Sequence, residues 1–419
     1  MRCLVIGAGL LGLTTAWFLR QHGFEVTVVE RRGAPGEETS FANGGMLHAS
    51  QASPWNEPGV LWQVLKTLGR EDSALLIRAR ALPHMMPWAW SFFRNSRRAA
   101  YVENLEKNAR LADYSLAVMN EHFRALPMSF DRADRGTLKI YRSPAELEVA
   151  REVALRCRDW NVSYNVLDAS AVVELEPALT PIGDQLSGGI HFPDDLSGDA
   201  QRFCVELASA CTSAGVQFEY NATVEKLLSE RGRCHAACID GELRYFDACV
   251  IAAGSYSGAL ARSLGVKVPV QPVKGYSLTL PLEAWPVVPQ VPVIDEHFHA
   301  ALCPLGKRMR VAGTAEFAGF DTSLTRSRIE NLYSLVAGVY PQAAVALKHD
   351  KTIEWAGLRP MSPDGVGIMG PTRVAGLYLN TGHGHLGWTM APGAGKLVAD
   401  CVAGQGGEIP LDDYQLTRF

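Results

Sequence analysis

The sequence carries no C-x-x-C pair, and no Cys/His cluster has zinc spacing. That removes the redox dithiol and the structural zinc module from consideration, and no metal site is expected. The nine cysteines are odd in number and scattered, which fits a reducing, cytoplasmic setting better than a disulfide framework. No run of about eighteen apolar residues occurs, so no spanning helix is expected. Neither sign of charge dominates. The 40 Lys and Arg face 44 Asp and Glu, and a net charge of −4 gives no reason to expect nucleic acid as a partner. Internal repeats and low-complexity tracts are absent as well. What remains has the composition of an ordinary globular enzyme, and 419 residues are too many for one core, so two domains are expected.

Arg2 and the apolar run after it imitate a secretory leader, but glycines punctuate that run. "RCLVIGAG" reads as a buried parallel strand, Leu10 to His22 as a helix stopped by Gly23, and "EVTVVE" as a second strand ending at Glu30. Within this βαβ unit Gly7, Gly9 and Gly12 form G-x-G-x-x-G. The first glycine permits the tight turn, the second lets backbone approach a pyrophosphate, and the third lets helix and strand pack closely. Glu30 can accept hydrogen bonds from ribose hydroxyls. Arg31 and Arg32 beside it leave NADP open, although the acid opposes a 2′-phosphate. A plain strand–turn–helix is the bland alternative.

A nicotinamide enzyme usually continues with another αβ unit. Here "ERRGAPGEETSFANGGMLHAS" follows instead, a polar loop with Ser40, Asn43, Gly44 and Gly45 that suits a longer cofactor lying along it. A second G-x-G-x-x-G lies near the end, at Gly382, Gly384 and Gly387 in "TGHGHLGWTM". No further strand ending in an acid follows it, so no second dinucleotide unit can be built there. Its strand–loop–helix pattern still points free N–H groups at whatever sits before the helix.

The segments "ETSFANGG", "SPWNEPG", "GDAQRFC", "PVKGYS", "RVAGTAEFAGF", "WAGLRPMSPDG" and "LNTGHGHLGWTM" together resemble the D-amino-acid dehydrogenases of the small-subunit type, within the D-amino-acid oxidase family of flavoproteins. The resemblance spans nearly the whole chain in the family's order. It implies FAD and assigns it residues; no His or Cys stands where a covalent link would be singled out, so the flavin is expected to be non-covalent. Gly7, Gly9, Leu10, Leu11 and Gly12 hold the pyrophosphate, and Glu30 with Arg31 beside it the adenosine ribose. Ser40, Asn43, Gly44, Gly45 and Met46 pass the ribityl chain and ring, and Val224 meets the adenine. Ala253 and Gly254 close the nucleotide side. Gly382, His383, Gly384, His385, Leu386, Gly387, Trp388 and Thr389 meet the flavin, so that both glycine loops hold one FAD.

Oxidising an amino acid requires its carboxylate to be fixed so that Cα–H points at the flavin. The planar fork of arginine suits that task, and Arg359 matches the family's carboxylate-binding position; a salt bridge to Asp364 is the alternative. Tyr276 is expected at the carboxylate or over the pocket, or else in the core. His48 and His383 are imidazoles on flavin-adjacent loops that can tune proton balance. The resemblance breaks at Phe298-His299, where relatives carry Tyr-Lys. If that strand lines the pocket, the site is more apolar, and a cyclic D-proline-type imino acid, glycine or sarcosine rivals an ordinary D-amino acid as substrate.

The expected architecture is an α/β Rossmann-type FAD domain (1–60, 200–265 and 350–419) with an inserted domain of mixed sheet and helices (61–199 and 266–349). Electrons are expected to pass to a quinone or other carrier. Residues 75–98 carry Trp88, Trp90, Phe92 and Phe93 among Arg78, Arg80, Arg94, Arg97 and Arg98. They read equally as a peripheral contact with the inner membrane face or as a helix packed on the core with a basic edge.

Overall fold

The computed structural model describes residues 1–67, 75–78, 81–157, 160–298, 300–346 and 351–419. Strand Arg2–Ile6 is apolar, with four of its five residues buried, because it lies inside a six-stranded sheet. Strand Glu25–Glu30 pairs parallel on one side of it, and strand Ala248–Ile251 on the other. Gln217–Tyr220 and Leu377–Thr381 extend the parallel part, and Ile368–Pro371 closes one edge antiparallel. Two strands therefore end in the two glycine loops at the same edge of the sheet. In open α/β sheets that carboxyl-terminal edge is where ligands bind.

Helices Leu10–Gln21 and Gly387–Val402 leave those loops and cross closely. Thr14 Oγ1 donates to the carbonyl of Ala391 at 2.8 Å, and Asn380 Nδ2 donates to Thr15 Oγ1 at 3.0 Å. Helix Ala200–Ser213 shares their apolar core. Its N-terminus is capped by Asp199, which accepts from the N–H groups of Gln201 and Arg202. The two glycine-loop helices have no side-chain cap and no acid in the first turn. Apart from the Leu10 N–H, which donates to Ser40 Oγ at 3.3 Å, their leading N–H groups are left for something else.

The second sheet has nine strands and is largely antiparallel, with Gln271–Pro281 paired between Ile353–Met361 and Arg308–Phe317. Strand Ile353–Met361, which falls in the segment 350–419 expected in the FAD domain, pairs with Gln271–Thr279 in this sheet. Partners as far apart as Gln271 and Met361 are not written in a local pattern. Helix Arg98–Val118, expected in the inserted domain, packs on Gly387–Val402, where Gly393 N–H donates to Ser115 Oγ at 2.9 Å. A short helix, Ala169–Leu175, is capped by Asp168, which accepts the Ala171 N–H. No helix among the described residues is long and apolar enough to cross a membrane.

Candidate active site

A cavity of about 1290 Å³ runs from the first glycine loop to the second and then under the nine-stranded sheet. Gly7 has φ +106°, and a Cβ there would lie 2.7 Å from the carbonyl oxygen of Ala252. A Cβ on Gly12 would overlap the carbonyl oxygen of Gly7. At Gly9 the surroundings differ: a Cβ would meet only Ser40 Oγ, at 3.4 Å. The fold itself demands glycine at the first and third positions. At the second, the space a side chain would fill is the cradle where a pyrophosphate fits.

Glu30 is pinned at this end. Its carboxylate accepts the N–H groups of Ala8 and Arg32, each at 2.8 Å, and keeps further lone pairs for ribose hydroxyls. Ser40 Oγ lies 3.3 Å from the Leu10 N–H at the helix start. Arg31 is occupied, paired with Glu38 at 2.5 Å and lying 3.7 Å over the Tyr256 ring. Leu10, Leu11, Val224, Ala253 and Gly254 line the same end.

The polar loop after Glu30 is tied to both sheets. Thr39 and Ser255 both donate to the carbonyl of Leu358, at 2.7 and 3.1 Å. Arg310 donates to the carbonyl of Asn43 at 2.9 Å, and Asn43 accepts the Gly45 N–H at 3.0 Å. Asn43, Gly44 and Met46 face the cavity, as do His383, Gly384, His385, Gly387 and Trp388. Gly12, Gly45, Gly382, Leu386 and Thr389 stand behind the wall rather than in it. Thr389 acts indirectly, accepting the His48 N–H at 3.1 Å.

Arg359 lies over Gly275, whose Cβ would sit 2.5 Å from the guanidinium carbon. It donates to the carbonyl of Thr314 at 3.1 Å and stacks 5.4 Å from the Trp55 ring centroid. Asp364, the alternative partner, is taken by Arg418 at 2.6 Å. Among the described residues no carboxylate pairs with Arg359, and burial lowers its pKa to about 10. It therefore keeps its charge at neutral pH while facing the cavity. A desolvated, unpaired cation at the cavity wall is a site for an anion.

Three imidazoles surround this point. Burial lowers the pKa of His48 to about 4. Burial first, and then the charge of Arg359, lowers that of His385 to about 3. His385 also stacks on Trp55 at 5.1 Å. His383 bonds Asn380 at 2.9 Å and is lowered to about 3, by burial and then by Arg418. All three are neutral at physiological pH. Tyr276 lines the cavity with its ring, but its hydroxyl donates to Glu316, which also holds Arg78 at 2.7 Å and Lys274 at 3.5 Å.

Thr314 carries no signal in the sequence. It has φ +57°, a strained conformation for a β-branched residue, and its Oγ1 is buried without a partner. Trp55 falls within the "SPWNEPG" segment, yet nothing local marks it as the ring that holds Arg359. Phe298 corrects an expectation. It packs against Gly338 and lies 5.2 Å from Arg142, not in the cavity wall, so it does not make the pocket more apolar. His299 lies outside the described residues, as does Arg80. Within 75–98, Trp88 is buried and donates to the carbonyl of Met361 at 2.9 Å, whereas Trp90 is 70 % exposed. That segment packs on the core along one face and leaves an apolar rim along the other.

The family model described as "FAD dependent oxidoreductase" matches residues 2–401. Among solved structures, L-proline dehydrogenase from P. horikoshii is 18 % identical with a TM-score of 0.78, and the match covers 100 % of this chain and 97 % of that one. Glycine oxidase from Geobacillus kaustophilus is 21 % identical, TM-score 0.76, covering 100 % and 99 %. Iminodiacetate oxidase from Chelativorans sp. BNC1 is 24 % identical, TM-score 0.76, covering 99 % and 98 %. At these identities the likeness is one of fold.

Proposed function

The chain belongs to the family of FAD-dependent oxidoreductases, and on that premise we propose that it oxidises the Cα–N bond of a D-amino acid, as a dehydrogenase of the kind its motifs resemble. The observation that carries this reading is Arg359, a buried guanidinium without a carboxylate partner among the described residues, facing the cavity that joins the two glycine loops. It fixes the substrate carboxylate through two parallel hydrogen bonds, with Trp55 holding the plane of the fork. FAD held between the two glycine loops would supply the two-electron acceptor for oxidation of the substrate's Cα–N bond to an imine. The amine has by then lost one proton to solvent, and water later hydrolyses the released imine. His48 and His385 stay uncharged, so they add no positive charge to repel the substrate's ammonium group. Tyr276 acts on the shape of the wall, because its hydroxyl is engaged with Glu316.

A cyclic imino acid is the second reading, favoured by the same anchor and by the fold shared with the proline dehydrogenase named above. For the acceptor we favour a quinone or other apolar carrier over oxygen. The support is the exposed rim of Leu82, Met86 and Trp90 at the cavity mouth, which also suits contact with a membrane face. Anaerobic bleaching of the flavin across D-amino, L-amino and cyclic imino acids tests the proposal. Bleaching by D-amino acids is expected, and a flavin left oxidised by all of them sinks it.

A further inference from the structure

Beside Arg359 the cavity opens into a wall of aromatic and aliphatic side chains. Leu75, Ile77, Met85, Trp88, Phe92 and Phe317 all line it. Trp88 stacks on Phe92 at 5.0 Å and tilts against Phe317 at 5.6 Å. This wall is continuous with the anchor. Trp55 packs into the same cluster, as does Val273, which pairs directly with Arg359 across the sheet. The wall is also fixed in place. Strand Leu75–Ile77 pairs with Ala315–Phe317, and the Arg78–Glu316 ion pair holds its end.

Charged groups at this end are already engaged or peripheral. Lys139 and Glu296 line the cavity but pair with each other at 2.6 Å. Glu57 is exposed at the rim and accepts from Tyr101 at 3.4 Å.

We propose that the Leu75–Phe317 wall is a side-chain subsite selecting substrates with a bulky apolar substituent on Cα, of leucine or phenylalanine size, over alanine and over charged side chains. The proposal rests on the carboxylate-anchoring role given to Arg359. The physical basis is burial: an aromatic or branched side chain removes apolar area from water here, whereas a second charge would be desolvated without a free counter-charge among the described residues.

The holoenzyme is titrated with 3-phenylpropanoate and with propanoate, following perturbation of the flavin spectrum, and anaerobic bleaching is measured with D-Phe, D-Leu, D-Ala, D-Glu and D-Lys. Phenylpropanoate is expected to bind at least tenfold more tightly, the factor that burying a few methylenes supplies. D-Phe and D-Leu are expected to exceed D-Ala in kcat/KM by a similar factor. Phe92→Ala should remove most of that preference, bringing D-Phe and phenylpropanoate down toward D-Ala and propanoate. Leu75→Ala, read by the same titration, serves if Phe92→Ala fails to hold flavin. Equal affinity for the two monocarboxylates overturns the subsite, as does a preference for D-Ala, D-Glu or D-Lys. Tight phenylpropanoate binding with no bleaching by any amino acid supports the subsite and overturns the oxidation reading instead.

Discussion

The two glycine loops share one spacing and differ in what enforces it. In the first, Gly7 and Gly12 are required by the protein: one has φ +106° against the Ala252 carbonyl, and the other would drive a side chain into the Gly7 carbonyl. In the second, Gly382 and Gly384 have φ +79° and +57°, but Gly387 faces open space, with only His383 Cβ at 3.9 Å. The glycine left unforced by the fold is the middle one in the first loop and the last one in the second. Both unforced glycines line the same cavity. A repeated motif here does not mean a repeated site. Both helix starts open on one cavity, and the proposal is that a single FAD spans them.

The sharpest way to break this comparison is at the third glycine of each loop. Gly12→Ala is expected to abolish folding or lower Tm by more than about 10 °C, because backbone must move. Gly387→Ala is expected to match the wild-type Tm. Equal melting curves for the two variants would refute the asymmetry.

The unforced glycines test the shared ligand. Gly9→Leu should fold but purify nearly free of flavin, judged by the ratio of 450 nm to protein absorbance (roughly tenfold or more below wild type). Gly387→Leu should keep the adenine end yet slow flavin reduction. Wild-type flavin content in Gly9→Leu counts against the cradle.

Arg359→Ala comes next. Loss of a buried charge-assisted contact should lower kcat/KM by about 100-fold or more with Tm little changed. Unchanged turnover would remove Arg359 from the anchoring role.

The smallest effect is a pH effect carried by the buried imidazoles, His48 and, in the second loop, His383 and His385. His383 and His385 are held near pKa 3, below the usual 6.5. The unfolded chain takes up their protons first as pH falls. The stability is therefore fully present above pH 6.5 and is lost progressively toward pH 3. Tm should drop by several degrees between pH 6.5 and 4.5, and His385→Asn should flatten that slope. A Tm independent of pH in this window would contradict the burial of these rings.

The legible part of the site was its nucleotide end. Gly7, Gly9, Gly12 and Glu30 lie within one contiguous βαβ unit, so their roles follow from local turns and a single helix start. Arg359 was legible through its motif, but its freedom was not. Whether it pairs with Asp364 depended on Arg418, far along the chain, claiming that carboxylate. Phe298 misled because a strand neighbour in sequence turned outward onto Gly338.

The βαβ unit, and the residue types that could meet a phosphate or a carboxylate, were readable from the sequence alone. These depend on neighbours a few residues apart. Only the tertiary structure decided that both glycine loops open on one cavity, that Tyr276 turns its hydroxyl to Glu316, and that Trp55, Thr314 and the Leu75–Phe317 wall surround the anchor. Those contacts join residues tens to hundreds of positions apart. They are set by sheet pairing and burial, which no local pattern encodes.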